Sequence, residues 1–201
     1  MCVSKLARRG VSLKRQNEMD SKLILAGVGG QGVLFATRIF AETALAQGHN
    51  VLGSETHGMS QRGGSVVSHL KIGPYQSPLI RHGTADVLMA FDVDEVYRTL
   101  AFVRRGGLCF VNSPRSDFWN AGVKAYLDGN EIAVHTFPAD KIAMELGSPR
   151  SANLALIGYA LSMPDMPFGH DEIKTTIERI TPLRFKEVNL RAFEAGYGRK
   201  G

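Results

Sequence analysis

A glycine-rich turn between an apolar run and an amphipathic segment is the feature that most limits how this chain can fold. Residues 22–26, Lys-Leu-Ile-Leu-Ala, predict a buried strand. Gly27-Val28-Gly29-Gly30-Gln31-Gly32 follows, and residues 33–47 carry apolar side chains at helical spacing before Gly48 ends the pattern. A second strand is predicted from Asn50. This order predicts a β–α–β unit of about thirty residues, the size expected for a parallel crossover.

Strand and helix patterns continue to alternate along the chain. Further strands are predicted at residues 65–72, 86–91, 108–111 and 131–137, and helices at 93–104 and 139–146. Asp92 is expected to cap the helix at 93, and Gly106-Gly107 to separate that helix from the next strand. Only helical patterns follow, at residues 151–163, 170–180 and 187–195. The predicted fold class is α/β: a three-layer Rossmann-like sandwich with a mostly parallel central sheet and C-terminal helices.

The positive charge of the chain is concentrated at its start. The 201 residues include 24 Lys and Arg against 19 Asp and Glu, a formal charge of +5, and residues 1–18 hold five of the basic residues against Glu18 alone. The remainder is nearly neutral, so its charge does not argue for a nucleic-acid partner. Residues 1–18 are interpreted as a disordered basic leader, as the product of an upstream start before Met19, or as a targeting or nucleic-acid arm. Residues 19–201 are predicted to form one domain.

Composition excludes several other classes of protein. An apolar share of 44% with 21% charged residues excludes global disorder, and no run approaches the ~18 apolar residues of a membrane span. The two cysteines, Cys2 and Cys109, can form neither a C-x-x-C motif nor the four-thiolate set of an iron–sulfur cluster. Cys109 is predicted to be buried and inert, and a reducing cytoplasm is the default compartment. The six histidines lack ligand spacing, so no metal site is predicted.

The glycine turn is a candidate phosphate site because it matches G-x-G-x-x-G between a predicted strand and a predicted helix. Glycines let a phosphate approach the backbone, and the helix N-terminus offers unpaired N–H donors. Glu55, 23 positions after Gly32, could bind a ribose, which keeps a stand-alone NAD(P)-dependent oxidoreductase as an alternative function. A purely structural turn is the other interpretation.

A second polar loop is predicted at residues 55–64, Glu-Thr-His-Gly-Met-Ser-Gln-Arg-Gly-Gly. It follows a strand, at the edge where open α/β sheets bind their ligands. Arg62 can grip a phosphate or a carboxylate bidentately, although an ordinary surface loop is the alternative. His57 has no acid or nucleophile at a useful spacing, so no catalytic residue is predicted in this chain.

Taken together, the two loops resemble those of the gamma subunit of 2-oxoacid:ferredoxin oxidoreductases. The run Gly58-Met59-Ser60-Gln61-Arg62-Gly63-Gly64 is most similar to the indolepyruvate type, whose small subunit is about this size. The resemblance covers residues 21–198. Similar segments are also found at residues 86–88, 111–113, 138–140, 153–158 and 189–196.

The resemblance implies a non-catalytic subunit of a complex that oxidatively decarboxylates a 2-oxoacid to an acyl-coenzyme A. It implies coenzyme A on this chain, thiamine diphosphate, Mg²⁺ and [4Fe–4S] clusters on partner subunits, and ferredoxin as electron acceptor. A homodimer of the isolated chain is a further expected assembly, without a membrane or nucleic-acid partner. Asn112-Ser113 can equally form a simple turn, and Asn153 can simply order a helix start. The matching positions expected to bind the coenzyme are Gly29, Gly30, Gln31, Gly32, Met59, Gln61, Arg62, Asn112, Ser113 and Asn153.

Overall fold

Six strands form one sheet in the order β2-β3-β1-β4-β5-β6. The computed structural model describes residues 19–57 and 64–199, so the predicted leader and Met59, Gln61 and Arg62 lie outside the described residues. The strands are β1 (Ser21–Val28), β2 (Val51–His57), β3 (Ser65–Ile72), β4 (Ala85–Ala90), β5 (Val103–Asn112) and β6 (Ala133–Phe137).

Helices cover both faces of this sheet. Strand side chains alternate between two cores: Leu23 and Leu25 of β1 face one core, and Ile24 and Ala26 face the other. The first core is shared with α1, α4, α5, α6 and α7, and the second with α2 and α3. The predicted three-layer α/β fold with C-terminal helices is therefore confirmed. The helices are α1 (Val33–Ala46), α2 (Val93–Thr99), α3 (Ala121–Gly129), α4 (Ala139–Glu145), α5 (Ala152–Leu161), α6 (His170–Ile180) and α7 (Leu183–Tyr197).

The position of β3 differs from the simplest form of the predicted β–α–β unit. β1 and β2 run in the same direction, as predicted, but β3 lies between them and is antiparallel to both. The remaining pairs, β1 with β4, β4 with β5 and β5 with β6, are parallel. β3 follows β2 closely and pairs back along it, so β3 occupies the place beside β1 that the crossover would otherwise give to β2.

One sequence expectation was wrong in detail, and one helix was not predicted. Gly106-Gly107 does not separate a helix from a strand, because β5 begins at Val103 and continues through both glycines. Gly106 has φ +67°, and the register of β5 against β4 shifts at this point, so the glycines form a bulge inside the strand. Helix α3 was not predicted from the sequence. Only its Leu127 is buried, so the segment has little of the apolar periodicity that indicates a helix. Its cap is Asn120, whose Oδ1 accepts the Val123 N–H at 2.9 Å.

The capping prediction at Asp92 and most boundaries hold, but α2 ends at Thr99 and not near Arg104, and α7 begins at Leu183 and not at Glu187. Asp92 Oδ1 accepts the Asp94 N–H at 2.9 Å, and α2 begins at the next residue after the cap, Val93. A 3-10 turn, Leu100–Phe102, follows α2, and another, Pro149–Ser151, precedes α5. Within the described residues, no helix is long and apolar enough to cross a membrane.

Helices α5 and α7 approach each other closely through a pair of glycines. A Cβ added to Gly158 would lie 2.0 Å from the Phe193 carbonyl oxygen, and one added to Gly196 would lie 1.9 Å from the Ala155 carbonyl oxygen. Both distances are far below van der Waals contact, so neither position can accept a side chain without moving a backbone. This crossing attaches α7 to α5, which is itself buried along nearly its whole length.

Replacing Gly196 with alanine is therefore expected to lower the free energy of unfolding by about 3 kcal/mol, because the new methyl group forces the two helices apart. Urea denaturation followed by circular dichroism measures this change. Gly129→Ala is the matched control, since no atom lies within 4 Å of a Cβ built there and the residue closes helix α3. The control should stay within about 1 kcal/mol of the parent chain or exceed it. Equal losses in both variants would contradict the close crossing.

Cys109 is predicted to be unreactive in the folded chain. Its side chain is fully buried in β5, and burial raises the pKa of its thiol to about 12. At pH 8 the thiol is therefore protonated as well as inaccessible to reagents. In a Cys2→Ser variant, Ellman's reagent should label no thiol in native buffer and one thiol in 6 M guanidinium chloride. Rapid labelling of the native variant would show that this core opens.

Candidate functional site

The predicted glycine turn lies between β1 and α1 and is closed on itself. The Val28 N–H donates to Gln31 Oε1 at 2.8 Å, and the Gln31 N–H donates to the Val28 carbonyl at 3.1 Å. Gly30 and Gly32 have φ of +106° and +78°, a region in which residues with a side chain are strained. Glycine is thus required at both positions by the path of the backbone.

The loop leaves backbone donors at the start of α1. Within the part of the chain that the structure describes, the N–H groups of Gly30 and Gly32 make no backbone hydrogen bond. The first turn of α1, Val-Leu-Phe-Ala, contains no acidic residue. These donors and the positive end of the helix dipole make the loop suitable for a phosphate or another anion.

The end of the second loop is attached beside the first. Gly29 donates its N–H to the Gly64 carbonyl at 2.9 Å, and the hydroxyl of Ser65 donates to Glu95 Oε2 at 2.6 Å. Glu95 is fully buried, and its other carboxylate oxygen accepts from Arg98 at 2.5 Å. The polar loop therefore enters β3 directly next to the glycine turn, although residues 58–63 themselves lie outside the described part.

Two adjoining cavities open at the glycine turn. The larger has a volume of about 580 Å³ and the smaller about 160 Å³, and Gly30, Pro149, Arg150 and Asn153 line both. The larger volume falls within the range of about 300–1,000 Å³ that is usual for small-molecule sites. The larger cavity also has an apolar wall, which Phe35, Pro182 and Phe185 provide.

The structure brings half of the ten predicted site residues to these cavities. The residues that line them are Gly30, Gln31, Gly32, Asn112 and Asn153. Gly29 and Ser113 lie nearby in the chain but do not line either cavity. Met59, Gln61 and Arg62 lie outside the described residues. A binding role for each of the ten stays a prediction.

Two of the predicted residues, Asn112 and Ser113, make hydrogen bonds that stabilise the fold itself. Asn112 spans two elements, since its Nδ2 donates to the Phe91 carbonyl at 3.2 Å and its Oδ1 accepts the Asp140 N–H at 3.2 Å. Ser113 forms a turn in which its hydroxyl donates to the Arg115 carbonyl at 2.8 Å. All of these side-chain groups are buried. The ordinary local roles foreseen for these positions are thus present.

Asn153 connects the start of α5 to the glycine turn. Its Nδ2 donates to the Gly32 carbonyl at 3.1 Å, and its Oδ1 accepts the Leu154 N–H at 2.9 Å. A Cβ on Gly32 would lie 2.4 Å from Asn153 Nδ2, so the amide occupies the space that only glycine leaves. Asn153 therefore shapes the cavity wall as well as ordering the helix start.

Arg150 is a charged residue of the cavity wall that was not predicted from the sequence. It lies in the 3-10 turn before α5 and lines both cavities. Its guanidinium makes no ion pair or hydrogen bond with any other described residue and is exposed to solvent. The sequence does contain an indication of its role, because Arg150 comes just before a helix. A positive charge at a helix N-terminus is unfavourable, so an arginine there can indicate an anionic ligand.

Glu55 lies away from the glycine turn. β2 extends to His57, so Glu55 is a strand residue opposite Ser68, not part of a loop as the sequence suggested. β3 separates β2 from β1, which places Glu55 two strand spacings, roughly 10 Å, to the side of β1. It lines a different groove together with Leu34 and Arg38. In the described residues, no group of three or more His, Cys, Asp or Glu could hold a metal ion.

Comparison with known proteins identifies relatives over nearly the whole chain. The family described as pyruvate ferredoxin/flavodoxin oxidoreductase matches residues 22–199. Proteins named indolepyruvate oxidoreductase subunit IorB are 34% identical in both Archaeoglobus fulgidus and Thermococcus kodakarensis. These alignments span 89% and 88% of this chain, respectively, and 94% of each relative.

Solved structures share the fold. The gamma subunit of a keto/oxoacid ferredoxin oxidoreductase from Geobacter sulfurreducens superposes with a TM-score of 0.70 at 23% identity, over 89% of this chain and 96% of that one. A 2-oxoglutarate:ferredoxin oxidoreductase from Magnetococcus marinus, solved with 2-oxoglutarate, coenzyme A and succinyl-CoA bound, gives a TM-score of 0.71 at 19% identity. It matches 91% of this chain with 31% of its own. This chain belongs to the pyruvate ferredoxin/flavodoxin oxidoreductase family.

Proposed function

We propose that this chain binds coenzyme A at the glycine turn, as the small subunit of a 2-oxoacid:ferredoxin oxidoreductase complex. The observation that carries the proposal is the meeting of three features at one cavity. These features are the N–H groups of Gly30 and Gly32, which have no backbone hydrogen-bond partner among residues 19–57 and 64–199, the start of α1, and the guanidinium of Arg150. Such a set of donors suits a ligand with more than one phosphate.

The cavity also suits the apolar part of the coenzyme. Phe35, Pro182 and Phe185 offer a wall against which the adenine ring can pack. The cavity volume of about 580 Å³ lies in the usual range for small-molecule sites. Asp140 lines the smaller cavity, where its carboxylate would repel a phosphate. Gly30, Gly32 and Arg150 are therefore the residues that would hold the phosphates, on the side of the larger cavity.

The remaining chemistry is assigned to partner subunits. Coenzyme A, when bound, supplies the thiol that accepts the acyl group of the decarboxylated 2-oxoacid. Thiamine diphosphate, Mg²⁺ and the [4Fe–4S] clusters are proposed to lie on the partners, with ferredoxin as electron acceptor. An indole-bearing 2-oxoacid is the proposed substrate class, supported by relatives of 34% identity that are named for indolepyruvate. This chain would bind and orient the coenzyme and contribute to the assembly of the complex. Its location in the cytoplasm stays a prediction.

A stand-alone NAD(P)-dependent enzyme is the second candidate, favoured by the G-x-G-x-x-G turn itself. A dinucleotide site needs an acid at the end of the strand beside β1 to bind the ribose. Here β3 occupies that neighbouring place, and Glu55 lies one strand further out. The geometry therefore supports coenzyme A over a nicotinamide dinucleotide.

Arg150→Ala is expected to weaken coenzyme A binding by about tenfold, the loss of one charge-assisted hydrogen bond of ~1.4 kcal/mol. Isothermal titration of the full chain and of the assembled complex measures the affinity. Arg105→Ala is the matched control, because Arg105 is exposed, paired with Glu131 and remote from both cavities. The control should bind coenzyme A as the parent does. Binding of NADH without binding of coenzyme A would overturn the proposal.

Arg62→Ala is expected to weaken coenzyme A binding with little change in melting temperature, because an arginine that grips a ligand adds little to the fold. Titration and differential scanning fluorimetry of the same preparation separate the two effects. A large fall in melting temperature with unchanged affinity would assign Arg62 a structural role instead.

A further inference from the structure

A group of cations surrounds one tyrosine ring at the start of β1. Lys22 of β1 and Lys71 of β3 are direct partners across the antiparallel pair. Their ammonium groups lie 5.3 Å and 5.1 Å from the centre of the Tyr75 ring. Arg81 is close enough to Lys71 for its charge to act on that ammonium group. These four residues are called the lysine patch.

The lysine patch is electrostatically unfavourable in the isolated chain. Like charges directly opposite each other on neighbouring strands destabilise a sheet. Burial, Lys22 and Arg81 together lower the pKa of the Lys71 ammonium group. None of the three cations has an ion-pair partner among the described residues. Asp86 is not such a partner: its Oδ2 accepts the backbone N–H of Lys22 at 2.8 Å, and its Oδ1 accepts from Arg104 Nε at 2.7 Å.

Tyr75 holds the two lysines side by side. Cation–π attraction to one ring offsets part of the repulsion between their ammonium groups. The Tyr75 hydroxyl is buried and has no hydrogen-bond partner in the described part of the chain. His69 adds no charge at neutral pH, because burial and the nearby Lys71 lower its pKa. Its Nδ1 accepts the Ile80 N–H at 3.2 Å. The patch therefore presents a fixed concentration of positive charge.

We propose that the lysine patch is a docking surface for a carboxylate-rich segment of a partner subunit. This inference rests on the proposed function, since it assumes that the chain works within a complex. The patch lies at the start of β1, and the glycine turn follows the end of the same strand, roughly 20 Å away at 3.3 Å per residue. A partner and the coenzyme can therefore be bound at the same time.

Charge complementarity favours a partner subunit over the other occupants. Residues 1–18 carry a net charge of +4 and would be repelled by the patch. A second copy in a two-fold contact centred on the patch would set the same cations against each other. Nucleic acid binding requires many phosphate contacts along a basic stripe, and the body of this chain is nearly neutral.

Because the two lysines repel each other, a binding role and a structural role predict different effects when their charges are removed. Replacing both lysines by glutamine removes the like-charge pair, so Lys22→Gln with Lys71→Gln should keep or raise the melting temperature. The same double variant should bind the partner subunit at least about tenfold more weakly in 50 mM NaCl, with a weaker dependence on salt. Binding of the purified full-length chain to the purified thiamine-bearing subunit, at 50 and 300 mM NaCl, measures both quantities.

Lys124→Gln with Lys141→Gln is the matched control, because it removes two exposed lysines from α3 and α4 and should leave the affinity unchanged. Equal affinity of the patch variant and the parent would overturn the inference, as would a fall in melting temperature that parallels the loss of binding. DNA retention that disappears in the patch variant, with association unchanged, would assign the surface to nucleic acid instead.

The coenzyme and the partner are measured separately, so the two proposals can fail separately. Loss of coenzyme A binding by the parent chain would overturn the coenzyme role while leaving salt-dependent subunit association intact. Failure of the parent chain to associate with the partner at either salt concentration would overturn both the docking surface and the assembly role.

Discussion

One side-chain amide couples the terminal helices to the glycine turn. Asn153, at the start of α5, donates to the Gly32 carbonyl across a separation of 121 residues, and Gly32 provides the space in which the amide sits. The position of the amide depends on the packing of α5 against α7, which in turn needs the backbone contact at Gly158 and Gly196. The shape of the cavity therefore depends on contacts made some distance from it, in a layer that itself contributes Arg150 and Phe185 to the lining.

Local patterns in the sequence predicted most of the helices and strands. The differences arise from contacts between elements that are distant in the sequence. The glycine turn, β3 and α6 lie where their periodicity and punctuation indicate, since each combines a strong pattern with clear ends. The place of β3 between β1 and β2 could not be predicted in this way, because periodicity reports which residues form a strand and not which strand lies beside it. A Gly-Gly pair is a common signal for a turn between elements, but here Gly106-Gly107 forms a bulge within β5, which stays paired with β4 on both sides of it.

The site was predictable to the extent that it depends on backbone. Gly30 and Gly32 are marked by the turn they must form, whereas Arg150 reaches the cavity only because a turn between α4 and α5 lies over the glycine loop. Glu55 has the sequence spacing of a ribose-binding acid, but its strand β2 pairs with β3 and not with β1. The lysine patch, in contrast, could not be predicted from the sequence. Lys22 and Lys71 are unremarkable in sequence, and only the register of the sheet reveals that they face each other.

The close crossing of α5 and α7 also sets the order in which this chain can complete itself. β1 can pair with β3 and β4 once the first ninety or so residues have been made, since all three strands lie before Phe91. Helix α5, which carries Asn153, packs against α7, and α7 ends only at Tyr197. During synthesis, the central sheet can thus form while the nascent chain still lacks its finished ligand pocket. A chain interrupted before α7 would retain the strands and glycines of the turn without the helical layer that fixes their geometry.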